Sequence, residues 1–418
     1  MGGNTLDEKV LLIIGAGRET VPSLQHAKTL GYFIVATDGN PQAPGFAFAD
    51  AQLVVSTYDV PATIRQALHY HTSVRRIDAV MALAADVPVT VARIAQALHL
   101  PGLSLMTAYL SQDKYAQKRR LEQAGIPAPW FSRVVSIANL EALVADHARR
   151  ESLLVIKPVD SRGARGVVRL LPTVDVAWAF QQAQACSPTG RVMVEEWLSG
   201  PQISTESVVC DDWAATPGFI DRNYARLDEF APFCIEDGGQ QPSALPSAAQ
   251  AAVAQMAEQA ARALGIVNWT AKGDMVLTRD GPKVIELAAR LSGGWMSSVQ
   301  VPTATGVDLV GIALRLAVGA SLTKEECLPQ RQNGCAIRYC FAVPGRATAI
   351  HGIETVRQLP DISRVEVFVA EGDIVQSPTN HTQRAACVIA TGKTRQEAVA
   401  RAEQAVGIIQ VETEQTCE

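Results

Sequence analysis

The run Leu153-Leu154-Val155-Ile156-Lys157-Pro158 leads into Ser161-Arg162-Gly163-Ala164-Arg165-Gly166 and then Val167-Val168-Arg169-Leu170-Leu171. Two apolar runs of strand length enclose a stretch with two glycines, a pattern that predicts a β-hairpin rather than a helical crossover. A lysine at the end of the first strand can set its ammonium on a phosphate oxygen. Loop N–H groups left unshielded by glycine can wrap the remaining oxygens. The segment reads as a phosphate clamp; taken alone, its rival reading is a hairpin turn beside a surface lysine.

Upstream of the clamp, Asp113-Lys114 opens a helix that Gly125-Ile126-Pro127 stops. Earlier still, Val10-Leu11-Leu12-Ile13-Ile14, the turn Gly15-Ala16-Gly17, a helix to Leu30 and Tyr32-Phe33-Ile34-Val35-Ala36 form a βαβ pattern. Leu53-Val54-Val55, a helix near 61–70, Ala79-Val80-Met81-Ala82-Leu83 and a helix ending before Pro101 continue it, predicting a doubly wound parallel-sheet domain over 1–108. Gly15, Gly17 and Asp38 invite a dinucleotide. The third glycine of that fingerprint would fall at Thr20, so a tight turn is preferred over a nicotinamide oxidoreductase.

Downstream, Val192-Met193-Val194-Glu195-Glu196-Trp197-Leu198 runs into Ser199-Gly200-Pro201-Gln202, with Glu206 following. A strand ending in acids and a short connector offers backbone groups to an adenine edge and acids or amides to ribose hydroxyls. Asp274 and Glu286 fall on two strands joined by the turn Arg279-Asp280-Gly281-Pro282, and Arg290 follows four residues later. One carboxylate on each arm of a hairpin makes a pair of hard oxygen ligands suited to magnesium; edge-strand acids are the rival reading. Short strands after residue 330 and a helix near 394–406 suggest a small closing domain.

The chain has 418 residues, 48% of them hydrophobic and 19% charged, enough for two to four packed units. A net charge of −5 supplies no broad positive field for a nucleic acid. Neither a signal peptide nor a membrane span is apparent, so a cytoplasmic protein without a membrane partner is expected. The eight cysteines, Cys417 among them, form no C-x-x-C pair and read as reduced thiols.

Taken in order, these segments resemble the ATP-grasp superfamily, and among its members the carboxylate–amine ligases similar to bacterial L-amino-acid ligases. Biotin carboxylase, carbamoyl phosphate synthetase and purine-pathway ligases are cousins. The resemblance implies an ATP-grasp fold, mixed α/β and α+β. Its units would be a pre-ATP domain over 1–108, a small lobe with the glycine-rich loop over 109–198, a large lobe with the metal carboxylates over 199–330, and a C-terminal α+β domain over 331–418. It also implies ATP, with magnesium or manganese on Asp274 and Glu286. Lys114, Lys157 and the loop residues Ser161, Arg162, Gly163, Ala164 and Gly166 would hold the phosphates. Glu195, Glu196, Trp197 and Leu198 would form the adenine hinge, and Gln202, with Glu206 beside it, the ribose end.

Arg290 would steady the transferring phosphate. Ala288 departs from the usual Glu-x-Asn-x-Arg pattern, since a methyl group cannot ligate a metal. Glu236 would orient or deprotonate an amine, although Gly239 stands where the amino-acid ligases carry a histidine. Backbone N–H groups of Gly293 and Gly294 would cradle an oxyanion. The implied activity activates a carboxylate as an acyl-phosphate and joins it to an amine, with amino acids among the substrates and a homodimer as the superfamily's habit. A bicarbonate-activating enzyme and a non-catalytic ATP-binding regulator are the alternatives.

Overall fold

The computed structural model describes residues 9–414; Cys417 and the outermost residues of the two terminal domains lie outside them. Strands β1 (Val10–Ile14), β2 (Phe33–Asp38), β3 (Ala51–Val54) and β4 (Ala79–Met81) form a parallel sheet in the order β3-β2-β1-β4. Every residue of β1 is buried, as an unbroken apolar run requires of a strand covered on both faces. After β1 the chain turns at Gly15, whose φ of +100° and close approach to Ala85 exclude a side chain. Asp38 accepts the N–H groups of Ala16 and Asn40 at 3.0 and 2.9 Å. Its carboxylate therefore braces the protein's own turn, in keeping with the tight-turn reading.

The second sheet contains β5 (Phe131–Val134), β6 (Leu154–Pro158), β7 (Val168–Arg169) and β8 (Val192–Glu196), all antiparallel, in the order β5-β8-β6-β7. Val155 faces Arg169 and Ile156 faces Val168, so the predicted hairpin forms around the glycine-rich loop. Helices Ile137–Ala148 and Val176–Ala185 cover it, with Leu140, Phe180 and Ala183 packed on Leu154, Ile156 and Val194.

The third sheet has eight antiparallel strands: β9 (Gln202–Val209), β10 (Ala214–Asn223), β11 (Gly238–Gln241), β12 (Trp269–Thr278), β13 (Gly281–Ala288), β14 (Gly334–Cys340), β16 (Ile362–Val367) and β18 (Ala386–Gly392). A separate trio is made of β15 (Gly345–His351), β17 (Ile374–Val375) and β19 (Gln410–Glu414). The eight are ordered β13-β12-β9-β10-β11-β14-β18-β16. The segment after 330 thus extends the large lobe's sheet through the β11–β14 pairing, which sequence periodicity alone did not reveal.

Helix Arg395–Ile408 covers β14 and β18, burying Ala398 and Ala402 against Ala336 and Ala390. Gly334, at the start of β14, lies against the backbone carbonyl of Thr394, the residue that caps this helix through the Glu397 N–H. We expect Gly334→Ala to force the two apart and cost about 1–3 kcal/mol, the usual range for overpacking. Thermal unfolding checks this; an unchanged melting temperature would contradict the packing described.

Candidate active site

A cleft of about 930 Å³ opens between the N-terminal domain, the β6–β7 hairpin and the eight-stranded sheet. Its floor is a row of side chains set by strand register: Ser204 on β9 is paired with Asp274 on β12, which is paired with Glu286 on β13. Cross-strand partners share a face, so both predicted metal carboxylates look into the cleft. A β-bulge between Asp274 and Met275 locally bends this floor. Asp274 accepts the Ser204 hydroxyl at 3.0 Å, lies 3.1 Å from Arg222 and binds Lys272. Burial opposes its charge, but Lys272 and Arg222 overcome that and hold its carboxyl well below the ordinary carboxylate range. Glu286 is likewise held low against burial, chiefly by Lys114 at 3.4 Å.

The adjoining row pairs Glu206, Lys272 and Ala288. Ala288, where an asparagine was expected, therefore stands directly across from the lysine that reaches Asp274. Two carboxylates kept ionised side by side suit a hard divalent cation whose remaining ligands come from phosphates and water. Among the described residues no cluster of three metal-ligating side chains occurs, so the protein alone offers an incomplete ligand set.

Helix Lys114–Gln123 starts at Asp113, whose side chain accepts the Ala116 N–H at 2.8 Å. It aims Lys114 at the cleft, where the ammonium donates to the Ser161 carbonyl at 2.7 Å. One turn later Lys118 is fully buried, donating to the Val284 carbonyl at 3.0 Å and lying 3.2 Å from Glu195. Lys157 reaches the other oxygen of Glu195 at 2.5 Å. Burial outweighs the pull of Glu195 and brings the Lys118 ammonium down to about 8, whereas Glu195, faced by two lysines, stays ionised below its usual range despite its own burial. The Glu195 side chain is thus turned onto the lysines. Glu196 points elsewhere and accepts the Ser152 hydroxyl at 3.3 Å.

Ser161, Arg162, Gly163 and Ala164 line the cleft. The loop is held at its tip, where the Gly163 carbonyl accepts the His381 N–H at 3.0 Å and the Arg162 guanidinium stacks 4.1 Å from the Tyr58 ring centre. Glu196, Trp197, Leu198 and Gln202 line the end beneath it. Two predicted residues are placed differently. Gly166 is not among the lining residues; it packs against Cys186, Pro158 and Ala183. Glu206 also lies outside the cleft wall, its carboxylate turned onto the Ser292 N–H, which it accepts at 2.8 Å.

At the other end, Arg290 lies 3.2 Å from Asp86, and the Gly294 N–H donates to Glu19 at 2.8 Å. The turn predicted to cradle an oxyanion therefore holds a carboxylate of the protein itself. Glu236 is gripped by two N–H groups of Arg222, both on the same carboxylate oxygen. Sequence reasoning missed Lys118, Lys272, Asp86, Glu19, His381 and Arg384. Lys118 alone left a readable signal, four residues after Lys114 on the same helix face.

With this geometry in place, residues 111–294 match the ATP-grasp domain family and residues 338–414 match the family described as L-amino acid ligase C-terminal domain 2. The chain carries an ATP-grasp domain followed by an L-amino acid ligase C-terminal domain. An L-amino acid ligase from Bacillus licheniformis shares the fold, with a TM-score of 0.81 and 21% identity over 97% of this chain and 99% of that one. Uncharacterized protein y4rH of Sinorhizobium fredii is 25% identical over 325 residues, covering 74% of this chain and 63% of its own length. A D-alanine--D-alanine ligase of Cupriavidus metallidurans is 26% identical over 230 residues, 53% of this chain and 67% of that one. The chain thus spans about two thirds of the length of these two curated relatives. Among the described residues, no helix is long and apolar enough to cross a membrane.

Burial pushes the Glu206 carboxyl up to about 7 from an ordinary 4.5, although Ser292 hydrogen bonds oppose the rise. The folded state then binds a proton that the unfolded chain has released. Its contribution to stability is complete below pH 4.5 and lost as pH rises through 7, on the order of 3 kcal/mol. Glu206→Gln should therefore flatten the stability profile between pH 4.5 and 7. Denaturant unfolding across that range tests it, and an unchanged slope would reject it.

Proposed function

We propose that this chain is an ATP- and magnesium-dependent ligase that activates a carboxylate as an acyl-phosphate and joins it to an amine, releasing ADP and phosphate. The observation that carries this reading is convergence. Lys114, Lys157, Asp274 and Glu286, spread over more than 170 positions, face one cleft roofed by a glycine-rich loop. The four proposed units, 1–108, 109–198, 199–330 and 331–418, supply the N-terminal wall, the roof, the floor and the far wall.

Phosphoryl transfer needs alignment and charge neutralisation more than covalent help from the protein. Lys114 and Lys157 bring cations to the phosphates, with the N–H groups of Gly163 and Ala164 in the roof. Asp274 and Glu286 would hold magnesium, which when bound neutralises phosphate charge. A substrate carboxylate oxygen attacks the terminal phosphorus and the bond to the β-phosphate oxygen breaks, leaving ADP. An amine then attacks the acyl carbon, the carbon–oxygen bond to phosphate breaks, and the amine's proton departs.

Arg290 and the 293–294 turn lie where charge develops on the acyl group, once Asp86 and Glu19 give up their present contacts. Closing the glycine loop excludes water that would otherwise hydrolyse the acyl-phosphate. A cytoplasmic setting belongs to the same reading, supported by seven free cysteines among the described residues.

The test is phosphate release from ATP with paired carboxylates and amines, followed by mass measurement of the product. Substrate-dependent release is expected, and Lys157→Ala should lower it by about 100-fold or more. Undiminished turnover in that variant would remove the clamp, and release driven by bicarbonate without any amine would point to a carboxylating enzyme instead.

A further inference from the structure

Arg384 comes from the C-terminal unit and sits in the cleft wall with 8% of its surface exposed. One N–H of its guanidinium donates to the Glu236 carbonyl at 2.5 Å, and the group lies 3.5 Å from the ring centre of Tyr339. Its Nε–H is buried without a hydrogen-bond partner, and no carboxylate pairs with the guanidinium among the described residues.

The cations of the cleft floor each face a carboxylate: Lys114 faces Glu286, Lys157 faces Glu195, Arg222 faces Glu236, Lys272 faces Asp274 and Arg290 faces Asp86. A buried cation left without an anion is costly, and a bound anion offsets that cost. His381, three residues earlier in the same wall, is kept neutral by burial and by the nearby Arg384 and Arg222. The spare charge at this point is therefore single, matching one carboxylate rather than a phosphate dianion.

Position narrows the assignment. A Cβ at Gly294 would lie 3.4 Å from the Tyr339 hydroxyl, so Arg384 stands one aromatic ring away from the turn proposed to hold the acyl group. We infer that Arg384 receives a carboxylate carried by the amine substrate, so that the acceptor is an amino acid rather than a simple amine. The word acceptor rests on the ligase reading; the carboxylate subsite does not. The same segment touches the phosphate roof, since the His381 N–H donates to Gly163. An acceptor held by Arg384 would lie beside a contact that keeps the glycine loop closed.

The experiment titrates the twenty standard L-amino acids and their primary amides into the protein with magnesium ADP present, by calorimetry. At least one free amino acid should bind the wild type about tenfold or more tighter than its amide, the scale of a charged hydrogen-bonded contact. Arg384→Gln should abolish that difference and Arg384→Lys should retain part of it. Amino acids and amides binding alike to the wild type, or a preference that survives Arg384→Gln, would overturn the inference. If the glutamine variant fails to fold, the wild-type comparison and the lysine variant still decide. Phosphate release from magnesium ATP, supplied in place of ADP with paired carboxylates and amino acids, separates the two claims: no release with any pair, alongside Arg384-dependent binding, sinks the ligase reading and upholds the subsite.

Discussion

Glu195 is the pivot of this molecule. Its buried carboxylate takes Lys157 from its own sheet on one oxygen and Lys118 from the neighbouring helix on the other. Two ammonium groups brought out of water around one carboxylate form a poorly balanced cluster, and burial weakens Lys118 accordingly. Removing the acid would leave two buried cations facing each other. The cluster also joins units, because Lys118 donates to Val284 on β13, the strand that carries Glu286. The hairpin, the helix behind it and strand β13 are thereby fixed relative to one another. An anion entering from the cleft side would relieve the excess positive charge, so the arrangement favours bound polyphosphate.

The N-terminal domain plays a different electrical part. Beside Arg18 in the cleft wall, it reaches across with acids, Asp86 to Arg290 and Glu19 to the Gly294 N–H. These contacts keep the Arg290 guanidinium and the Gly294 N–H compensated by the protein's own carboxylates. In this way the domain's glycine turn serves its own backbone while its loops close the Arg290 end of the cleft.

Much of this was legible before any coordinates. The strands of the parallel sheet and the β6–β7 hairpin are long apolar runs bounded by glycine and proline, and periodicity finds such runs well. Asp274 and Glu286 were readable because a short turn fixes their register. What escaped notice was contact over distance. Strand β11, with two glycines and two glutamines, has no hydrophobic period, and its pairing with β14 spans nearly a hundred positions. Glu206 sits at the right spacing to follow Gln202 and Ser204 into the cleft, yet its carboxylate is taken up by the Ser292 N–H, a contact that only folding supplies. Arg384 lies in a loop with no motif at all, and its meaning comes from Tyr339 and Glu236, both brought to it only by folding.

The continuity of the eight-stranded sheet constrains how such a protein can be cut or recombined. Strand β11 is only four residues long and is stitched on one side to β10 and on the other to β14. A chain ended after residue 330 would keep the cleft floor but expose a row of unpaired backbone donors and acceptors along β11, a template for edge-to-edge association. The C-terminal unit is therefore no bead on a string. It is the seam that keeps the rest of the molecule from pairing with its neighbours.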